Sequence, residues 1–352
     1  MKPISQPPPA DWIIFASVAM SLGWGLRGFI GGGPLGAMIP GAMIGLVLAL
    51  LLRLDTAATS RLIAFAAVGI GFGGDMTYGQ TAGLAMKPET FSWALLGFAI
   101  KGAVWGLLGG ATIGLALVPP TRRYLAITMA AMLAATWAGW RVINEPKLIY
   151  FSNLFDRPRP EVWAGLLLAG ITVALMHGPL VRRFALCGAI GGGIGFALGA
   201  CFQVLGRTHA AGFFFSDWWK VMELTFGALL GASYAWAAWS VEPMPDTPTP
   251  EPPRSPLLAS ITGAALAIAI AIFLVPLIDR FHVRFSYTVA GALLLLLATR
   301  SSDIARQIGL TGTCCAFFID LYEDRPQTEP WLAVLLIVIA TIAIAVVVLR
   351  TT

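Results

Sequence analysis

The chain is a succession of apolar runs of about 20 residues, the length a helix needs to cross roughly 30 Å of hydrocarbon. The stretch from Trp331 to Leu349, for example, carries no charged side chain. In lipid every backbone N–H and C=O must be satisfied within the protein, which leaves only helices and closed barrels. Continuous apolar runs lack the alternation of a barrel strand. Of 352 residues, 57% are apolar and 12% charged, with a mean hydropathy of +0.79, too little polar surface for a water-soluble globule. The expected fold is all-α, a polytopic transmembrane helix bundle.

Windows of that length place about twelve spans, near 12–30, 35–53, 62–78, 93–117, 124–143, 162–180, 184–204, 219–240, 256–278, 286–299, 307–321 and 331–349. The segments at 286–299 and 307–321 are the shortest. If either only dips into the membrane, the count falls to ten or eleven. The run from Trp12 reads as an uncleaved first helix, because Asp11 flanks it where a secretory signal would be basic.

A pattern recurs along the chain. Gly69-Ile70-Gly71-Phe72, a polar segment and Gly102-Ala103-Val104-Trp105-Gly106 are echoed by Gly193-Ile194-Gly195-Phe196, a second polar segment and Gly227-Ala228-Leu229-Leu230-Gly231. Residues 1–121 and 122–241 therefore read as two parallel four-helix repeats, since four spans return the chain to its starting side. Residues 242–256 carry seven prolines and form an extended linker. The remainder, 257–352, is a diverged C-terminal group and a candidate third repeat.

Short connections carrying Arg53 and Arg61, Arg122 and Arg123, and Arg182 and Arg183 are expected on the cytoplasmic side, with both termini there. The expected location is a bacterial inner membrane. The net charge of +5 is accounted for by anchoring to membrane lipid, and no nucleic-acid partner is implied.

Ionisable residues within or beside spans are the candidates for function. Arg27 and Arg141 each follow a tryptophan near the same end of the first span of a repeat and could bind an anion or pair with Asp75 or Glu145. Asp75, Tyr78 and Gln80 open a polar segment after a Gly-rich span. A carboxylate at that depth suits proton coupling, or it pairs with Arg27 or Lys101. Lys101 and Glu223 are the deepest opposite charges, and a contact between them across the repeat interface is expected. The dense glycines from Gly31 to Gly45 give either tight helix packing or a helix break whose amides, beside Arg27, hold an anion.

The long loop from Asn144 to Glu161 adds Glu145, Asp156, Arg157 and Arg159, with Arg207 and His209 in the corresponding place of the second repeat. The alternative for each loop is a solvated segment that caps the helices it joins. His177, His209 and His282 are scattered and the cysteines lie in apolar runs, so no metal or organic cofactor is expected. Gly69-x-Gly71-x-Gly73-Gly74 lacks the strand that a dinucleotide fingerprint needs.

Two function classes lead. The first is a secondary transporter of a small polar or anionic solute, bound by Arg27, Asp75, Tyr78, Gln80, Arg141, Glu145, Arg157, Arg159, Arg207 and His209, with Asp75, Lys101 and Glu223 in coupling. The second is a membrane enzyme acting at the extracytoplasmic face on a lipid-linked or envelope-derived substrate. There Asp75, Glu145 or Asp156 would serve as acid or base, and Arg27, Arg141, Arg157 and Arg159 would hold a phosphate or sugar acid. A third reading is an assembly subunit whose loops bind a partner protein.

Overall fold

The computed structural model describes residues 8–30, 32–153, 158–209, 217–239, 241, 255–323 and 330–350, and among them every regular element is helical. The first group is α1 (Ala10–Ile30), α2 (Gly33–Leu52), α3 (Thr56–Phe72), the short α4 (Gly79–Ala85) and α5 (Phe91–Leu117). The second is α6 (Arg122–Gly139), α7 (Trp163–Met176), α8 (Pro179–His209) and α9 (Trp218–Trp239). The C-terminal group is α10 (Pro256–Ala269), α11 (Val275–Asp279), α12 (Ser286–Ala298), α13 (Ser302–Arg306), α14 (Gly312–Glu323) and α15 (Pro330–Arg350). Single π-helical turns extend α6 to Asn144, join α10 to α11, and join α13 to α14.

Among the described residues, six helical segments are long and apolar enough to cross a membrane: Gly33–Leu52, Thr56–Asp75, Pro88–Leu117, Arg122–Asn144, Pro179–His209 and Pro256–Asp279. Shorter apolar helices cover Trp163–Met176, Ser286–Ala298 and Val334–Val348. The sequence windows fall within about a turn of most helices, with one clear displacement. The third helix begins at Thr56, where the Asp55 carboxylate accepts from Ala58 N at 2.7 Å and satisfies an orphan amide of the first turn. It ends at Phe72, so Met76, Thr77 and Tyr78 lie outside it. The linker residues 242–254 lie outside the described residues.

Lipid tails give helices no hydrophobic reason to associate, so close backbone packing carries the bundle. Gly102, Gly106 and Gly110, one turn apart on α5, abut the backbone of Gly192, Gly188 and Phe184 on α8. The partner numbers fall as those of α5 rise, so the helices are antiparallel. A Cβ at any of the three glycines would collide with the facing carbonyl. Tyr234 of α9 closes the seam by donating to Gly106 O at 3.0 Å. On the opposite face of α8, Leu186, Ile190 and Ile194 are each about 60% exposed, a stripe compatible with a lipid environment.

The same device joins α2 to α3, where Gly41 and Gly45 rest on the backbone of Ala66 and Ile63. Tight packing is thus one role of the early glycine cluster. The seams between the first five helices and the next four are not symmetric. Helix α5 packs on α8 and α1 on α9, while α3 with α9 and α5 with α6 touch slightly at most.

The short connections gather at one end, where the arginines close helix C-termini. Arg61 Nε donates to Ala116 O of α5 at 2.8 Å, Arg122 to Thr299 O and Arg300 O behind α12 at 3.1 and 3.0 Å, Arg182 to Ala174 O of α7 at 3.2 Å and Arg183 to Trp236 O of α9 at 3.1 Å. Each cation meets carbonyls that the helix leaves unpaired, at the negative end of its dipole.

Candidate functional site

Arg27, Lys101, Glu161, Lys220 and Glu223, all buried, gather with Asp75 toward the other end of the bundle, in three assemblies. The first is built on Arg27, in the last turn of α1 and only 2% exposed. Its guanidinium carbon lies 5.0 Å from the Trp24 ring centroid, 5.7 Å from Tyr78 and 5.5 Å from Trp105, a cation held among aromatic rings. Arg27 Nη1 donates to Tyr78 Oη at 2.9 Å, and the Tyr78 hydroxyl donates to Glu223 Oε1 at 3.0 Å. Trp219 Nε1 donates to the same oxygen at 3.0 Å, and Lys220 Nζ reaches Glu223 Oε2 at 3.2 Å. Burial, foremost, pushes the Tyr78 phenol up to about 12, so it stays protonated and keeps its donor role.

Arg27 Nη2 also reaches Gly33 O at 3.4 Å. A break between α1 and α2 therefore sits beside Arg27, with Gly33 at φ +77° and Pro34 opening the next helix. It offers Arg27 a carbonyl oxygen.

The second assembly encloses Lys101. Its ammonium donates to Thr77 O at 2.7 Å, Thr81 Oγ1 at 2.8 Å and Glu161 Oε1 at 2.8 Å, which uses all three donors. Glu161 also accepts from Phe151 N at 3.1 Å and from Ser152 Oγ at 2.8 Å. The expected Lys101–Glu223 contact does not form. Lys101 on α5 turns toward the segment ahead of α7, and Glu223 is engaged by Tyr78, Trp219 and Lys220. Ionic groups buried this deep hold position only when every lone pair and proton is matched, and each has found a nearer partner.

The third assembly joins the first group to the C-terminal one. Asp75 Oδ2 accepts from Thr288 N at 3.0 Å and Thr288 Oγ1 at 2.6 Å, so a carboxylate from the end of α3 caps the N-terminus of α12. Neither Arg27 nor Lys101 is its hydrogen-bonding partner. Asp75 lines a cavity of about 500 Å³ together with Gly33, Thr77, Asp279, Arg284 and Ser286. The rest of its wall includes residues from the start of α2 and from α11, α14 and α15, among them Leu35, Val275, Ile319 and Ile337.

The residues singled out in the sequence thus divide. Arg27, Tyr78 and Glu223 come together, while Asp75 and Lys101 belong to the neighbouring assemblies. Gln80 accepts from Asn153 N at 3.2 Å through Oε1, which ties α4 to the long loop. Arg141 and Glu145 form an exposed pair one turn apart. Arg159 is exposed, and its carbonyl accepts from the Tyr150 hydroxyl at 2.8 Å. Arg207 and His209 are exposed at the end of α8, with His209 Nδ1 2.6 Å from Thr208 Oγ1. Asp156 and Arg157 lie outside the described residues. Glu161, Thr288, Asp279 and Arg284 are functional candidates that the sequence reading did not select, and Trp219 entered it only as part of the polar set around Arg207 and His209. Asp279 and Arg284, in a polar stretch between two apolar runs, and Glu161, at the end of the charged loop from Asn144, carried a signal that could have found them.

Among the described residues no three His, Cys, Asp or Glu side chains converge as metal ligands, and all four cysteines are free. No protein-family model matches the chain, and no curated protein or solved structure matches it significantly.

Proposed function

We propose that the protein is a secondary transporter of a small polar or anionic solute, with the cavity at Asp75 as its solute site. The reading includes about twelve membrane passes, with the helices too short or too polar to qualify alone completing the six apolar ones. It also includes an inner-membrane location with both termini and the arginine-closed end on the cytoplasmic side, and descent of the two four-helix groups from one unit. One observation carries it. The Asp75 carboxylate, on the wall of a cavity between helices of the N- and C-terminal parts of the chain, binds Thr288 of α12 directly. Protonation would remove the charge that caps α12 and weaken both hydrogen bonds, so proton binding and the separation of the groups would be linked. Arg284, on the cavity wall, supplies a cation for an anionic solute.

The test is uptake of labelled phosphate, carboxylates and amino acids by proteoliposomes under an imposed proton gradient. Wild-type protein should accumulate at least one of them. Asp75→Asn, which keeps an acceptor for Thr288 but cannot carry the charge, should lose the dependence on the gradient. Gradient-independent uptake unchanged in Asp75→Asn would refute the assignment.

The membrane-enzyme reading is favoured by a different observation. The buried Arg27–Tyr78–Glu223 cluster adjoins an apolar groove through Lys220, a place where the headgroup of a lipid-linked substrate could rest. Turnover of an added envelope lipid by the purified protein, with no gradient, would select it.

A further inference from the structure

Helices α1, α2 and α9 enclose a groove of about 580 Å³ lined by Leu22, Leu26, Met43 and Leu224, with Asp217 and Lys220 at one end. Leu22 and Leu26 are 57% and 42% exposed, so the groove opens on the outer face of the bundle. Its polarity is ordered along its length. From Asp217 at the start of α9 to Leu224 is about 10 Å at 1.5 Å per residue, and both charges sit at the helix end while the leucines and methionine continue inward. Gly25 lets Leu224 form the floor, and Gly28 makes room for the Lys220 and Glu223 side chains against α1.

We propose that this groove is a binding site for a zwitterionic phospholipid, one acyl chain lying along Leu22, Leu26, Met43 and Leu224. The choice of headgroup follows from charge complementarity. A purely anionic headgroup would find Lys220 but meet the exposed Asp217 carboxylate beside it. A headgroup with a phosphate and a primary ammonium satisfies both, the phosphate at the Lys220 ammonium and the lipid ammonium at Asp217. The Lys220 ammonium lies 3.2 Å from Glu223, and the phosphate would join the partners of that cation. The inference is independent of the Asp75 cavity, which lies between other helices.

The test uses the full-length protein in a mild detergent, with phosphatidylethanolamine and phosphatidylglycerol of matched chains added at equal concentration and retention read by native mass spectrometry. Wild-type protein should retain the ethanolamine lipid about fivefold better, the size of effect one well-placed charge pair gives. Asp217→Asn keeps the helix cap, which Lys220 N makes to Asp217 Oδ1 at 3.2 Å, and should bring the two lipids to equal retention. Leu26→Trp, which fills the groove from its exposed side, should lower retention of both. Equal retention by the wild type, a preference unchanged in Asp217→Asn, or full retention in Leu26→Trp would each overturn the proposal.

Discussion

Lys101 and Glu161 form an ion pair with Nζ and Oε1 2.8 Å apart and both side chains 1% exposed, fixing the middle of α5 to the loop that enters α7. Removing one partner strands a charge in low dielectric, whereas replacing both by apolar groups removes the desolvation cost along with the attraction. Lys101→Met or Glu161→Leu alone should therefore destabilise the protein by about 3–5 kcal/mol, and the two combined should lose less than the sum of the single losses. Thermal unfolding of the four proteins in detergent checks this. Additive losses in the double variant would mean that the two groups act separately.

The glycine seam between α5 and α8 makes a second prediction. A Cβ at Gly106 would run into the Gly188 carbonyl, and one at Gly188 into that of Gly106. Gly106→Val should cost at least about 2 kcal/mol through forced separation of the helices, while Ile190→Val on the exposed stripe of α8 should change stability little. Comparable losses for the two would remove the seam from its place at the centre of the bundle.

These relationships mark where the sequence could be read and where it could not. The apolar helices were legible because apolar length is a local property, though among the described residues six are long and apolar enough to cross a membrane, and the glycines at one-turn spacing in α5 and α8 announce close packing without naming the partner helix. Arg27, Tyr78, Asp75, Lys101 and Glu223 stood out because a charge or phenol beside an apolar run is costly wherever it goes. Their pairing was not legible. Thr288 lies 213 residues from Asp75, and Glu161 resembled one more charge in a proline-rich loop until the fold brought it beneath Lys101. The recurring glycine motifs say nothing about seams, which depend on how complementary surfaces meet.

A third prediction concerns pH at the arginine-closed end. His177, between α7 and α8, has its Nε2 2.9 Å from Thr128 Oγ1 and its ring against Tyr124, and burial holds its pKa below the ordinary value of 6.5. The folded ring stays neutral where the unfolded one takes a proton, so the unfolded state gains protons as pH falls through about 6.5. Stability should be full above that pH and decline toward pH 5. His177→Gln should flatten that part of the curve. An acid limb unchanged in the variant would assign the decline to other groups.

The most direct measurement is the reactivity of a single cysteine at Ser286, on the wall of the Asp75 cavity, in protein freed of Cys187, Cys201, Cys314 and Cys315 and oriented in vesicles. A transporter whose helix groups part around that cavity should let a membrane-impermeant maleimide reach Ser286→Cys from the extracytoplasmic side in one condition and from the cytoplasmic side in another, with Asp75→Asn shifting the balance. Labelling from one side alone, under every gradient and pH tried and unaffected by Asp75→Asn, would contradict transport through this cavity.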